Sequence, residues 1–141
     1  MVRSMINNVS DEKNVFIIID YLQLMKSDSK HNGIREEIND ISVQLKGLVQ
    51  ENKNVTIIPL VQVNRGVEQR NDKRPMMSDM KESGQIEQDS NMIIGLYRDD
   101  YYNKEEETSD ISELEAIVLK NKDGAIGTAI TAFFKGIQRI E

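Results

Sequence analysis

The sequence predicts an α/β fold with parallel strands and helices at its core and an antiparallel C-terminal edge. Two uninterrupted apolar runs, residues 15–20 and 55–61, have the β-branched composition of buried strands in parallel sheets. Between them, residues 34–49 carry apolar side chains at spacings of three and four, which predicts a helix of about five turns. A strand, a helix and a strand in this order form a parallel crossover unit.

The later elements are predicted in chain order. Residues 62–83 show little apolar periodicity and exceed ordinary connections in length, which indicates a functional or mobile segment. Residues 91–96 are a third apolar run and are predicted to form a third buried strand. The acidic stretch 99–112 has the composition of a flexible surface loop.

The C-terminal part is predicted to contribute antiparallel strands. Residues 113–120 and 128–134 alternate as strands do, and Asp123-Gly124 between them is a favoured turn pair. Residues 137–140 add a short last strand. We therefore expect a mixed sheet with a parallel core and an antiparallel edge.

Composition limits the classes of function. A chain of 141 residues is long enough for one domain with a real core. The net charge of −6 argues against a surface that binds nucleic acid all over, and the absence of cysteine excludes disulfides and thiolate metal sites. The longest apolar run is far shorter than the roughly 20 residues that cross a bilayer, and no secretory leader is visible. A cytoplasmic protein without membrane contact is the simplest expectation.

Six motifs follow one another at characteristic separations. The first two are strand ends, Asp20-Tyr21-Leu22-Gln23-Leu24-Met25 and Gln62-Val63-Asn64-Arg65. The most specific two are Glu68-Gln69-Arg70-Asn71-Asp72-Lys73-Arg74-Pro75 and Ser78-Asp79-Met80-Lys81-Glu82-Ser83-Gly84-Gln85-Ile86-Glu87-Gln88-Asp89. The last two are Leu96-Tyr97-Arg98-Asp99-Asp100-Tyr101-Tyr102 and Lys120-Asn121-Lys122-Asp123-Gly124. In this order they resemble the second half of the RecA-like motor domain of DnaB-type replicative DNA helicases, a P-loop NTPase core. The resemblance covers residues 14–141 and implies a partial motor domain, with residues 1–13 as the end of a preceding helix or a leader.

The resemblance implies a nucleotide site at two strand ends. Asp20 matches the acid that holds Mg²⁺ through water, and Gln62 matches the side chain that senses the γ-phosphate of ATP. Both lie where the ligands of parallel sheets collect, at the carboxyl edge. Without the resemblance, Asp20 is explained equally well as a turn residue, and Gln62 as an ordinary polar residue at the end of a buried strand.

Two further groups of residues match DNA-binding and trans-acting positions of the family. Lys81, Glu82 and Gly84 match the loop that follows the backbone of single-stranded DNA, which suits a motor indifferent to sequence. Lys120 and Lys122 match the pair that reaches into the nucleotide site of a neighbouring subunit, where a cation stabilises phosphoryl charge. By themselves, two lysines at a hairpin are more often solvated surface.

The chain departs from the family at four places. Its phosphate-binding loop and catalytic glutamate belong to the half that precedes Val15, where this sequence has only fourteen residues. We therefore expect the isolated chain not to hydrolyse ATP. Lys122 and Lys81 stand where the family usually has arginine, and lysine lacks the planar guanidinium that can bind a phosphate through two N–H groups. Val61 stands where the family often has serine.

Two interpretations remain open at the level of sequence. In the first, the chain is part of a hexameric helicase that couples ATP hydrolysis to translocation on single-stranded DNA and unwinding. In the second, it is a short, degenerate paralogue that docks on a helicase ring or inhibits it. Both imply other helicase subunits as partners, in a homo- or hetero-hexamer, with a helicase loader or primase as further candidates.

Overall fold

A computed structural model describes residues 2–6, 13–103 and 109–141, without the side chains of residues 3, 5 and 81–83. The chain divides into two compact units. The first unit contains Met1–Gln62 and Lys81–Ser90, and the second contains Val63–Met80 and Asn91–Glu141. Each unit is described by itself.

The first unit has the predicted strand, helix and strand in sequence. A short helix α1 (Val2–Ile6) precedes strand β1 (Val15–Ile19), helix α2 (Ile34–Glu51) and strand β2 (Val55–Pro59). Strands β1 and β2 are parallel, in a register that pairs Val15 with Val55 and Ile19 with Pro59. The parallel core predicted from the two apolar runs is confirmed.

Helix α2 supplies half of the buried core residues of the first unit. Its apolar stripe repeats at three and four residues, so one face is buried while the opposite face remains in water. The buried members of this core, contributed by several elements, are Ile6, Leu22, Ile38, Ile41, Leu45, Leu48, Val55 and Ile86. The inward side chains of β1, Val15, Ile17 and Ile19, pack against this cluster.

The prediction that the two strands of the parallel pair are buried on both faces is wrong for this chain. Phe16 and Ile18 on β1 are 69% and 68% exposed, and Ile58 on β2 is 44% exposed. Inward and outward side chains alternate because the cluster around α2 covers one face of the pair. An apolar outward face on a parallel pair is unusual, because such sheets are normally covered on both sides.

One helix of the first unit has no counterpart in the sequence-based prediction. Helix α3 (Gly84–Asp89) is six residues long and follows a 3₁₀ segment, Met77–Ser83, with a kink at Met80. The buried Ile86 joins the core, and the Ser42 hydroxyl donates a 2.7 Å hydrogen bond to the Asp89 carboxylate. This bond fastens α3 to α2.

The second unit is an antiparallel sheet. Its strands are β3 (Met92–Tyr97), β4 (Ile111–Asn121), β5 (Gly127–Phe134) and β6 (Arg139–Ile140), paired in the order β3-β4-β5-β6. The predicted antiparallel C-terminal strands are confirmed. Within the described residues, however, the strands form two hydrogen-bonded sheets, and β3 belongs to the antiparallel one.

The predicted burial of the third strand is also only half correct. Tyr97 is 6% exposed, whereas Met92, Ile94 and Leu96 on the opposite face are each at least half exposed. Within the predicted acidic loop, a 3₁₀ turn covers Asp99–Tyr101 and strand β4 begins at Ile111. Residues 104–108 of this stretch lie outside the described part of the chain. No helix among the described residues is long and apolar enough to cross a membrane.

Candidate nucleotide and nucleic-acid site

Asp20 and Gln62 lie at the same edge of the parallel pair. Asp20 directly follows β1, and Gln62 comes three residues after the last residue of β2. Two backbone hydrogen bonds extend the pairing beyond the strands: Leu60 N–H donates to Ile19 O at 2.9 Å, and Leu22 N–H donates to Leu60 O at 2.8 Å. The sequence rule that parallel strands gather polar residues at their carboxyl ends therefore holds for this pair.

The side chain of Gln23 connects the two strand ends directly. Its Nε2 donates to the Gln62 carbonyl at 3.2 Å, and its Oε1 accepts from the Gln62 amide at 3.4 Å. One side chain thus occupies both main-chain polar groups of Gln62. Sequence reasoning assigned no role to Gln23. The only available signal was its place in the motif that begins with Asp20.

An open cleft of about 360 Å³ lies at this edge, lined by Tyr21, Leu60, Val61 and Gln62. Asp20 and Gln62 are both exposed, and the peptide bond between Asp20 and Tyr21 is cis. The described residues contain no group of three or more acidic, histidine or cysteine side chains arranged for a metal. A divalent cation bound through Asp20 would thus need further ligands from water or from phosphate.

The residues matched to the DNA-binding loop lie where the 3₁₀ segment meets α3. Lys81 and Glu82 belong to the 3₁₀ segment Met77–Ser83, and their side chains lie outside the described part. Gly84 is the first residue of α3, and a Cβ added there would meet nothing within 4 Å. Within the described part of the chain, nothing therefore blocks a close approach to the backbone at Gly84.

The segment that precedes this loop is held within the second unit. Its Pro75 packs against β3 so closely that a Cβ on Gly95 would lie 2.9 Å from Pro75 Cβ. The guanidinium of Arg74 lies over the Tyr97 ring, 4.7 Å from its centroid, and its Nε donates to Glu115 on β4 at 2.8 Å. The two arginines of the Glu68–Pro75 motif therefore have structural contacts, since Arg70 pairs with Asp79 in the same unit.

Lys120 and Lys122 lie at the hairpin end of the antiparallel sheet. Lys120 is half-buried on β4 opposite Ile93, and Lys122 directly follows the strand with an exposed side chain. The Lys122 amide donates to Asn91 O at 3.0 Å, which continues the β3–β4 ladder past Asn121. The ladder and the turn therefore fix the backbone at both lysines.

This architecture defines the class of the protein, which is a RecA-like α/β ATPase fold. The model for the DnaB-like helicase C-terminal domain family matches residues 1–141. Among curated proteins, the chain is 49% identical over 120 residues to replicative DNA helicase DnaC of Bacillus subtilis (strain 168). It is also 49% identical over 120 residues to replicative DNA helicase DnaB of Geobacillus stearothermophilus. The chain therefore belongs to the DnaB-like helicase C-terminal domain family.

Solved structures agree with this assignment. One, described as an ATPase domain, superposes with a TM-score of 0.86 at 43% identity, over 99% of this chain and 48% of that one. A structure described as a DnaB-like replicative helicase and its interactions with primase matches with a TM-score of 0.82 at 45% identity. That match covers 94% of this chain and 32% of the helicase chain. The alignments to both curated relatives cover 84% of this chain and about a quarter, 26%, of each relative.

Proposed function

We propose that this chain supplies the second half of the motor domain of a hexameric replicative helicase, which couples ATP hydrolysis to translocation on single-stranded DNA and duplex unwinding. The observation that carries the proposal is the convergence of Asp20 and Gln62 at one sheet edge, linked through Gln23. An acid and a neutral amide at adjacent strand ends allow one group to hold a cation and the other to detect a terminal phosphate.

The first half of the motor would cover the apolar outward face of β1 and β2. That face exposes Phe16, Ile18 and Ile58, whose composition suits a sheet covered on both sides. The solved ATPase domain with a TM-score of 0.86 is about twice as long as the region it shares with this chain. In this proposal, that other half supplies the phosphate-binding loop and the catalytic glutamate, and we expect no ATPase activity from the 141 residues measured by themselves.

Asp20 fits a magnesium ion of the kind found at nucleotide sites. Mg²⁺ keeps several waters and uses one or two carboxylates together with substrate phosphates, and a single exposed Asp20 matches this need. When bound with ATP, the ion neutralises charge on the phosphates. Asp20 would orient the waters of the ion, and Gln62 would donate its side-chain amide to the γ-phosphate.

Two other groups would act on DNA and on the neighbouring subunit. The backbone around Gly84, with Lys81 and Glu82, would follow the phosphates of one DNA strand without reading bases. Lys120 and Lys122 would place cations in the nucleotide site of the next subunit. The lysine ammonium is a point charge, whereas the arginine guanidinium can donate two parallel hydrogen bonds to a phosphate. We therefore expect these lysines to stabilise the charge on the transferring phosphoryl group less than an arginine finger does.

The full helicase would have the partners that its relatives suggest. Identical or related subunits complete the ring, and the neighbour described with primase makes primase a candidate, alongside a helicase loader. A replicative role places the protein with the cell's DNA, in the cytoplasm.

The test is a chimera in which this chain replaces the matching segment of the Bacillus subtilis helicase. We expect ATPase activity stimulated by single-stranded DNA. Asp20→Ala should lower it by about 100-fold or more, because metal-linked charge stabilisation contributes several kcal/mol to the rate. Asp28→Ala, an exposed acid eight residues further on, is the matched control and should keep the activity.

Full activity of the Asp20→Ala chimera would refute the role given to this carboxylate. If the chimera were inactive, the alternative function, inhibition of a helicase ring by a degenerate paralogue, would be tested next. In that case, inhibition of an intact helicase by substoichiometric amounts of the 141-residue chain would support the degenerate partner.

A further inference from the structure

The segment that joins Gln62 to Lys81 is closed on itself by a backbone hydrogen bond. The amide of Asn64 donates to the carbonyl of Asp79 at 3.3 Å. Asn64 comes two residues after Gln62, and Asp79 comes two residues before Lys81. Consecutive Cα atoms are about 3.8 Å apart, so the Cα of Gln62 lies within about 8 Å of the Asn64 Cα. For the same reason, the Cα of Lys81 lies within about 8 Å of the Asp79 Cα. The proposed phosphate sensor and the start of the proposed DNA loop are therefore joined by a short path.

The carboxylate of Asp79 fixes this junction. Its Oδ1 accepts from Arg70 Nη1 at 3.1 Å, and its Oδ2 accepts from Arg70 Nη2 at 2.9 Å. Oδ2 also accepts from the Met76 amide at 2.7 Å. The Asp79 side chain is only 10% exposed, and bidentate arginine–carboxylate pairs are among the stronger and more directional hydrogen bonds. Asp79 thus joins three separate parts of the segment.

Arg70 extends the same network to the far side of the segment. Its Nη2 donates to the Arg74 carbonyl at 2.7 Å, so the guanidinium bridges that carbonyl and the Asp79 carboxylate. The segment is therefore cross-linked internally at 64–79, 70–79, 70–74 and 76–79. These four hydrogen-bonded pairs oppose internal rearrangement of residues 64–79.

We propose that Asp79 is a positioning residue that couples the nucleotide state sensed at Gln62 to the conformation of the DNA loop that begins at Lys81. The inference rests on the proposed function of those two sites. A shift of the chain after Gln62 displaces Asn64, and the Asn64–Asp79 bond carries the displacement to the residues before Lys81. Coupling of this kind is a free energy shared by two binding sites, so it is measurable from either site.

The Arg74–Glu115 pair provides a matched control. It is also an arginine–carboxylate pair of the same unit, with Arg74 Nε 2.8 Å from Glu115 Oε2 and Nη2 bonded to Oε1. It attaches the same segment to β4, and within the described part of the chain the hydrogen bonds of the Arg74 guanidinium go to Glu115 and Asp72. Loss of this pair removes a similar ionic contact without touching the junction.

The experiment measures single-stranded DNA affinity of the chimeric helicase by fluorescence anisotropy, without nucleotide and with a non-hydrolysable ATP analogue. The readout is the ratio of the two dissociation constants, which a purely structural role would not change. We expect Asp79→Asn to move this ratio at least fivefold toward one, because asparagine cannot hold both arginine nitrogens. Arg70→Gln breaks the same pair from the more exposed partner and should act in the same direction, and Glu115→Gln should stay within twofold of the parent.

The outcomes separate this inference from the proposed function. A parent chimera whose DNA affinity is identical in both nucleotide states would overturn both. A parent with nucleotide-dependent affinity, combined with an unchanged ratio in Arg70→Gln and in folded Asp79→Asn, would overturn only the role of Asp79. If Glu115→Gln moved the ratio of dissociation constants toward one by the same factor, the role of Asp79 would also be overturned. The effect would then come from the general attachment of the segment to β4.

Discussion

The two units of the chain differ in the size of their buried apolar core. In the first unit, aliphatic residues from α2 and its neighbours form one continuous cluster, which includes Leu22 at 1% exposure. In the second, the buried hydrophobic residues within the described part of the chain are Val67, Tyr97 and Leu114. In the second unit, the strands are joined by ladder hydrogen bonds, and arginine side chains add contacts such as Arg74–Glu115.

The two units should therefore respond to different kinds of substitution. The first unit has a core that responds to lost volume, although its two-stranded sheet leaves an apolar face uncovered. The second unit has close backbone packing and charge-assisted contacts, which respond to added volume and to pH. Three substitutions, taken in order of expected effect, test this contrast.

The largest effect should come from Leu22→Ala in the first unit. Truncation of a side chain that is 1% exposed leaves a cavity and should lower the free energy of unfolding by about 2–5 kcal/mol. Hydrogen exchange of peptides from α2 in the 141-residue chain measures this loss directly. The matched control is Leu24→Ala in the same 3₁₀ turn, since Leu24 is 63% exposed and should change stability by no more than about 0.5 kcal/mol. Equal losses from the two leucines would contradict the described core.

An intermediate effect is expected from Gly95→Ala in the second unit. The added methyl group would lie 2.9 Å from Pro75 Cβ and 3.4 Å from Leu119 Cδ1, and the proline ring cannot rotate away. We expect a loss of about 1–3 kcal/mol, with faster hydrogen exchange in residues 63–80. Gly127→Ala on β5 is the control, because a Cβ there meets nothing within 4 Å. If Gly95→Ala were as stable as Gly127→Ala, Pro75 would not pack on β3.

Regular elements of both units were predictable from sequence because their signals are local. The spacing of Ile38, Ile41 and Leu45 specifies α2, and Asp123-Gly124 marks the position of the connection between β4 and β5, which in the structure is the longer loop 122–126. Strand burial was not predictable. An apolar run indicates that a strand is suited to burial. Whether the strand is in fact buried depends on which other segments cover its two faces. Helix α3 was missed because six residues with one buried apolar side chain give no periodic signal.

The candidate site was predictable only in part, for a related reason. Parallel topology alone brings Asp20 and Gln62 to one edge, so their proximity follows from the strand assignment. The Gln23–Gln62 contact joins residues 39 apart, and Arg70–Asp79 joins two residues of an irregular segment. Contacts of this kind depend on the tertiary path of the chain and leave no pattern in the sequence. The roles of Asp20, Gln62, Lys81, Glu82, Gly84, Lys120 and Lys122 stay predictions.

The smallest effect should come from Tyr97→Phe, and it should depend on pH. The Tyr97 hydroxyl donates to Asp99 Oδ1 at 2.6 Å, and phenylalanine keeps the ring contacts with Arg74 and Tyr102 while losing this bond. Because Asp99 is exposed and water replaces the lost donor, the cost near neutral pH should be about 0.5–1.5 kcal/mol. Denaturant unfolding followed by circular dichroism measures it.

The sign of the pH dependence follows from the direction of each shift. Burial, with the hydrogen bond to Asp99, raises the pKa of Tyr97 from 10.0 to about 12. The folded state therefore holds its proton longer than the unfolded state, so this contribution is complete below about pH 10 and is lost as the pH rises toward about 12. The same hydrogen bond, followed by one from Asn103, lowers the pKa of Asp99, whose contribution is lost as the pH falls below about 4. The stability gap between the parent chain and Tyr97→Phe should thus narrow at both extremes, while Tyr101→Phe, 65% exposed, should show no such narrowing. A gap that stayed constant from about pH 3 to about pH 11 would mean that the hydroxyl of Tyr97 does not stabilise the second unit through Asp99.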